Sequence, residues 1–253
     1  MGVHVEVIVT CVCYADFLAI TLQQTKRWFA AITVLTAPED YETIALAQRE
    51  GVSLHVTSVW GKNGAKFNKA GAINSCLDER DLDGTDSWVV LLDADILLRE
   101  DFRGDVMTVD PHGLYSIPRR MCETEEEWRA LRAGRRRLED LPLSIPPVVN
   151  GRVWKHRPTG NPAALCGYLQ LWHATKAAGM KRMPASHNAA GYDVEFGLSF
   201  PEASRSFLKG REVLHLGPSK ANWDGRVSPR WGPPPMRPLG VPVWPDQGEH
   251  LHL

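Results

Sequence analysis

Apolar runs rich in β-branched residues alternate with segments of helical spacing through the first part of this chain. Val3–Tyr14 (VHVEVIVTCVCY) reads as a first strand. In Asp16–Phe29 the apolar residues Phe17, Leu18, Leu22 and Trp28 recur near helical spacing, which predicts a helix. Ala31–Leu35 (AITVL) predicts a second strand, ending in the turn-like Thr36–Asp40. Tyr41–Glu50 predicts a short helix closed by Gly51, a residue suited to a C-terminal cap. Val52–Val59 predicts a third strand and Lys66–Leu77 (KFNKAGAINSCL) a further helix. Trp88–Leu92 (WVVLL) is wholly apolar, as a central parallel strand should be, and stops abruptly at Asp93-Ala94-Asp95.

This alternation predicts an α/β fold: a Rossmann-like, mostly parallel sheet flanked by helices. Such sheets bind ligands beyond the carboxyl ends of their strands, and the acidic pair sits at that kind of end. Further on the pattern changes. Glu123–Asp140 (ETEEEWRALRAGRRRLED) predicts a charged helix. The stretch 142–162 is loop-like, with prolines at 142, 146, 147, 158 and 162. Regular structure resumes near Ala163–Ala178, and from Ser228 the chain turns proline-rich, with Trp231 and Trp244 as anchors for an extended arm. The expected organisation is a ligand-binding half over 1–110, a second half over 111–227 and a C-terminal arm over 228–253. No internal repeat is visible.

Composition narrows the class. The chain has 253 residues and is 43% apolar, enough for a sizeable buried core. Lysine plus arginine is 29 and aspartate plus glutamate is 30, so the net charge of −1 gives no global case for nucleic acid or membrane binding. The run Val5–Tyr14 contains Glu6 and is too short to span a bilayer, which takes about 20 apolar residues. It lacks the basic start and cleavage site of a signal peptide. The five cysteines, Cys11, Cys13, Cys76, Cys122 and Cys166, form no CxxC pair and read as reduced thiols of a cytoplasmic protein.

Two motifs carry chemistry by their residue types alone. In LLDADIL, carboxylates at i and i+2 leave an apolar strand together and can share one cation. Their oxygens suit Mn²⁺ or Mg²⁺, and such an ion can hold a diphosphate. In Gly61–Asn74 (GKNGAKFNKAGAIN) a glycine-containing loop feeds a helix, whose first N–H groups attract anions. Lys62, Lys66 and Lys69 add positive charge there, although a solvated lysine face has the same pattern. The loop is neither a Walker loop nor a dinucleotide fingerprint.

KAGAIN upstream of a strand ending in DAD resembles the GT-A glycosyltransferases, particularly the inverting group that includes cellulose and chitin synthases. The resemblance runs over roughly residues 3–220 and is more specific in its first half. It implies a nucleotide-sugar donor, with UDP the nucleotide commonest in the group. Asp93 then lies near the donor ribose and the metal, and Asp95 is the direct metal ligand. Asp40 or Glu39, in the turn after the second strand, contacts the base. Thr10 and Tyr14 hold the nucleoside, and Lys66, Asn68 and Lys69 lie along the donor. GYDVEFGL resembles the segment whose carboxylate deprotonates the acceptor, with Asp193 as base and Glu195 as the alternative; here Tyr192 stands where the group has an acid. His215, in VLHLGP, falls where several GT-A enzymes supply a further metal ligand, and Lys220 becomes a diphosphate contact. Tyr168 and Trp172 shape the acceptor site or are simply core.

The acceptor is the open position in this reading. Arg119–Arg157 holds nine arginines and one lysine against five glutamates and one aspartate, a net of +4, with Trp128 and Trp154 interleaved. Such a surface suits an anionic polymer such as hydroxylated DNA, and it also describes a solvated helix. Two other enzyme classes fit less well. A sugar-nucleotide pyrophosphorylase needs glycines after the first strand, where this chain has TCVCYADF, and a haloacid-dehalogenase-type phosphatase places its acidic pair at the first strand. A non-catalytic nucleotide-sugar or nucleic-acid binding module with the same fold is the remaining alternative.

Overall fold

The first apolar run folds as β1 (His4–Thr10), and every residue of it after His4 is buried. A computed structural model describes residues 3–82, 85–99, 101–144, 148–149, 152–153, 167–208, 210–218 and 222–232. After β1 come α1 (Ala15–Trp28), β2 (Ala31–Thr36), α2 (Tyr41–Glu50), β3 (Ser53–Val56), α3 (Lys69–Glu79) and β4 (Ser87–Asp93), the order expected. The boundaries shift for local reasons. Asn68 caps α3 by accepting from the Gly71 amide (2.9 Å), so the helix begins at Lys69 and not at Lys66. Gly51 closes α2.

The remainder is built of shorter pieces. They are β5 (Ile96–Leu97), α4 (Arg103–Val106), β6 (Leu114–Ser116), β7 (Arg119–Cys122), α5 (Glu125–Arg132), β8 (Leu143–Ser144), β9 (Val148–Val149), β10 (Arg152–Val153), β11 (Leu169–His173), α6 (Tyr192–Leu198), β12 (Arg205–Phe207) and β13 (Val213–Leu216). The charged helix expected over Glu123–Asp140 is shorter than its pattern. Thr124 and Glu127 start it with a reciprocal capping box, and Gly134, at φ 66°, turns the chain out after two turns.

Seven strands form one sheet in the order β12-β6-β11-β4-β1-β2-β3. The pairs β4–β1, β1–β2, β2–β3 and β12–β6 are parallel, while β11 runs antiparallel between β4 and β6. Strands from both expected halves thus enter the same sheet. A second sheet, β5-β13-β7-β8, stands beside it, and β9 pairs with β10.

Alternation along the strands feeds two cores. Val5, Val7 and Val9 of β1 join Trp88, Val90 and Leu92 of β4 under Leu18 and Leu22 of α1 and Leu46 of α2. Ile8, Val89 and Leu91 face the other way, against Ile73 and Leu77 of α3 and Phe196 of α6. Covering both faces is what requires β4 to be apolar from Trp88 through Leu92. A third cluster joins the small sheet to α1 through Phe17, Leu214, Leu216 and Trp231.

The described part of the C-terminal arm is bolted to α1. Arg226 donates to both carboxylate oxygens of Asp16 (2.5 and 2.8 Å) and to the carbonyls of Cys13, Ser228 and Pro229. Its guanidinium lies over the rings of Tyr14 and Phe17, 4.6 and 5.0 Å from their centroids. The Trp231 amide donates to the same Asp16 carboxylate (2.8 Å). Trp244 lies outside the described residues. The two paired side chains are only 3% and 4% exposed, so removing one leaves a buried, uncompensated charge. Arg226→Ala is expected to cost about 3–5 kcal/mol in urea unfolding, and Arg226→Met with Asp16→Leu to recover most of it. A loss below about 1 kcal/mol for the single variant contradicts this assignment.

Candidate active site

In the order β3-β2-β1-β4, the chain winds outward from β1 through β2 to β3 and resumes on the opposite flank with β4. The reversal opens a crevice at the carboxyl ends of β1 and β4, the position at which such sheets bind ligands. Thr10 and Asp93, the last residues of the two strands, are register partners. The Thr10 hydroxyl donates to Asp93 Oδ1 (2.8 Å), and the ammonium of Lys69, from the first turn of α3, pairs with that same oxygen. Burial alone would lower the Lys69 pKa, but the Asp93 carboxylate beside it overrides this and raises it. The Tyr192 ring lies against Lys69, with its centroid 6.0 Å from the ammonium.

The acidic turn is anchored through its middle residue. The Ala94 amide donates to the Thr10 carbonyl (3.1 Å), and Thr21 of α1 donates to the Ala94 carbonyl (2.7 Å). Ala94 is buried in the core, leaving the flanking carboxylates toward the crevice. Asp95 meets His215, with Oδ2 3.7 Å from Nε2, because β13 pairs His215 with Ile96 of β5. Burial raises the Asp95 pKa, reinforced by the charge of Asp93. Burial lowers that of His215, with Arg119 adding to the effect. Arg119 comes from β7, and its guanidinium stacks 4.4 Å from the Tyr168 ring centroid.

Asp95 Oδ1 is buried with no hydrogen-bond partner among the described residues, and an imidazole stands beside it. A carboxylate and an imidazole that burial biases toward neutrality suit Mn²⁺ or Mg²⁺. Among the described residues no three His, Cys, Asp or Glu side chains are placed to hold a metal by themselves. An ion here would therefore draw the rest of its shell from non-protein oxygens, as Mg²⁺-type sites do with phosphates and water.

The third carboxylate reaches this crevice through the neighbouring strand. The Asp93 amide donates to the Tyr168 carbonyl (3.0 Å), and the Gly167 amide, one residue earlier, donates to Asp193 Oδ2 (2.8 Å). A Cβ on residue 167 would sit 2.8–3.0 Å from the Asp193 side chain, so the approach requires glycine. Burial pushes the Asp193 pKa from 3.8 up to about 6, against the Gly167 hydrogen bond and the charge of Lys69. Glu195 is exposed and, two residues along α6, faces away from Asp193.

The remaining expected contacts divide. Tyr14 lies near the acidic pair; burial raises its pKa, as does the charge of Asp95, and Ser228 donates to its hydroxyl (3.4 Å). Asp40 is buried and spent on structure: it accepts from Thr36 Oγ1 (3.0 Å), the Cys13 amide (2.7 Å) and the Thr43 amide (3.2 Å) as the cap of α2. Glu39 is exposed on the same turn. Lys66 is exposed and pairs with Asp224 (3.1 Å), while the Asn68 side chain serves as the α3 cap. Lys220 lies outside the described residues. Tyr168 and Trp172 are both buried; Tyr168 donates to the Ile117 carbonyl (2.7 Å) and Trp172 packs edge-on against Phe196.

Four arginines of the basic segment are neutralised by glutamates, three of them within the segment. Arg120 pairs with Glu212, Arg129 with Glu125, Arg136 with Glu127 and Arg137 with Glu139. Beyond Ser144 its side chains lie outside the described residues. Cys11, Cys13, Cys76 and Cys122 are free thiols, and Cys166 lies outside the described residues. Among the described residues no helix is long and apolar enough to cross a membrane.

Sequence reasoning missed four participants. Arg119 entered only as part of a charge count, although alternation in Arg119-Arg120-Met121-Cys122 puts the two arginines on opposite faces of a strand. Gly167, Tyr192 as the neighbour of Lys69, and Arg226 gave no local signal.

No protein-family model matches the sequence, and no curated protein matches it. Among solved structures the chain is similar to the mannosyltransferase PcManGT from Pyrobaculum calidifontis, in complex with GDP-Man and Mn²⁺. The TM-score is 0.50 and the identity 14%, over 85% of this chain and 57% of that one. S. aureus TarS follows at TM-score 0.49 and 10% identity, over 85% of this chain and 36% of that one. The galactosyltransferase LgtC, with donor and acceptor sugar analogs, has TM-score 0.44 and 13% identity, over 80% and 72% of the two chains. The first of these likenesses carries the fold assignment: the chain has a GT-A-type fold, as its motifs led one to expect. It spans little more than half the length of PcManGT (57%).

Because the folded state binds the Asp193 proton more tightly than the unfolded chain, this group favours folding below pH about 4. That contribution is lost as pH rises through about 6. Asp193→Asn keeps an acceptor for the Gly167 amide without the charge. The variant is expected to be more stable than wild type by about 1–2 kcal/mol at pH 8 and equal to it at pH 4, read by denaturant unfolding. A wild type that is the more stable at pH 8 contradicts a carboxylate whose pKa desolvation raises.

Proposed function

We propose that this chain is a metal-dependent glycosyltransferase that moves a sugar from a nucleotide-sugar donor, with UDP as the nucleotide, to an acceptor hydroxyl with inversion. The observation that carries the reading is the convergence of Lys69–Asp93, Asp95–His215 and Asp193 on one crevice, at the switch point of a GT-A-type sheet. Tyr14 and Thr10 border the end of β1, where the nucleoside would lie.

Each residue has a task in such a transfer. Asp193 takes the proton from the attacking hydroxyl. Its raised pKa makes it a stronger base than an exposed carboxylate, yet leaves it ionised at neutral pH. The Gly167 amide fixes one of its oxygens and leaves the other for the acceptor. Attack comes from the face opposite the departing diphosphate, which is what gives inversion. Lys69 carries positive charge to the first acid of the turn, beside the path of the leaving group. Asp95 and His215 would hold a divalent ion, which when bound neutralises charge on the departing nucleoside diphosphate. Glu195, exposed, is a poorer base than Asp193. Asp40, Lys66 and Asn68 serve first as structural groups, so the donor draws mainly on Thr10, Tyr14, Lys69 and the acidic turn.

A ligand that binds only the folded chain raises its melting temperature by mass action, with no acceptor needed. UDP, GDP, ADP and CDP are to be tested with and without Mn²⁺ on wild type and Asp95→Ala. One nucleotide, UDP on this reading, is expected to give a Mn²⁺-dependent rise that the variant loses. No rise with any nucleotide overturns the proposal. Transfer or donor hydrolysis is further expected to fall about tenfold per pH unit below pH 6, with Asp193→Asn losing at least about 100-fold. Undiminished activity in Asp193→Asn removes it as the base.

A further inference from the structure

Among the described arginines of the basic segment, Arg119 stands beside Asp95 and His215. β7 and β13 run parallel with Arg119 opposite Val213, and His215 follows Val213 by two residues, so Arg119 and His215 share a face of the small sheet. The guanidinium lies over the Tyr168 ring, with its carbon 4.4 Å from the ring centroid. Tyr168 is itself buried and fixed by its hydrogen bond to Ile117. Arg119 Nε is buried and has no hydrogen-bond partner among the described residues, in contrast to Arg120, whose fork is closed on Glu212. Arg119 is half-buried, and a desolvated guanidinium N–H left without an acceptor is stabilised by an anion that reaches it.

We infer that Arg119 is a diphosphate anchor of the donor site, a protein-borne cation acting beside the divalent ion. The inference rests on the proposed nucleotide-sugar reading. Location decides which part of the substrate it meets. Arg119 stands with Asp95 and His215, on the side of the acidic turn where an ion and a diphosphate would share oxygens. The charges and hydrogen bonds felt by Asp193, where an acceptor would be deprotonated, come from Gly167 and Lys69 instead. A planar guanidinium is a fork of N–H donors, which suits two phosphate oxygens better than a sugar hydroxyl. Two consequences follow. Diphosphate binding is only partly dependent on metal. The ion binds weakly alone, because Arg119 repels it until a diphosphate lies between them.

The test is calorimetric titration of the full chain with UDP, GDP, uridine, guanosine and inorganic pyrophosphate, in Mn²⁺ and in EDTA. Arg119→Met and Arg119→Lys are compared with wild type. Wild type is expected to bind one diphosphate in EDTA, more weakly than in Mn²⁺. Arg119→Met should weaken that diphosphate and pyrophosphate at least about tenfold while leaving the nucleoside unchanged, and Arg119→Lys should fall between. If both variants bind the diphosphate as wild type does, the inference falls and the proposed function stands. If both lose nucleoside and diphosphate equally, Arg119 merely supports Tyr168 and the inference also falls. Failure of wild type to bind any diphosphate overturns the underlying reading itself.

Discussion

A lysine buried against the first carboxylate of the acidic turn is the constraint on which the rest of the site depends. Lys69 is almost fully enclosed by α3, the end of β4 and Tyr192, and a cation in that position persists only if an anion meets it. Asp93 is that anion, and Thr10 holds the oxygen that Lys69 contacts. One interaction thereby ties the helix on one face of the sheet to the ends of its two central strands. It fixes α3 in register and aims the acidic turn, and the backbone bond from Asp93 to Tyr168 carries the same positioning to β11.

The second organising effect is desolvation. Asp95, His215 and Asp193 are each pushed by burial toward their neutral forms. A crevice of groups held away from their preferred charge states is costly to the folded chain and is the usual signature of chemistry awaiting a ligand. The charged groups beside it are of two kinds. Lys69 is paired with Asp93, whereas Arg119 lies over Tyr168 with its Nε unpartnered among the described residues. That contrast separates a cation serving the fold from one available to a substrate.

The first half of the fold was legible because its central strands β1 and β4 are covered on both faces and are mostly apolar, while its helices repeat on the core side. DAD and KAGAIN were legible for the same reason: both sit at ends of strong elements. The second half was harder to read. Its strands are two to five residues long and their neighbours lie far off in sequence, so β7, β11 and β13 depend on long-range pairing that leaves little local pattern. The basic run illustrates the limit. Its net charge suggested a polyanion surface, but four of its arginines close on glutamates, and one of those, Glu212, lies 92 residues from its partner. Tyr192, a departure from the acid of the ED-like segment, proves to be a neighbour of Lys69. A tyrosine there adds no second carboxylate beside Lys69, and Asp193 remains in place.

The most direct measurement is a crystal structure of the chain with a nucleoside diphosphate and Mn²⁺. The account predicts the diphosphate in the crevice between Lys69–Asp93 and Asp95–His215, with anomalous density for Mn²⁺ against Asp95 and a path from Asp193 to the outer phosphate. A nucleotide bound elsewhere, or a metal away from Asp95 and His215, would contradict it.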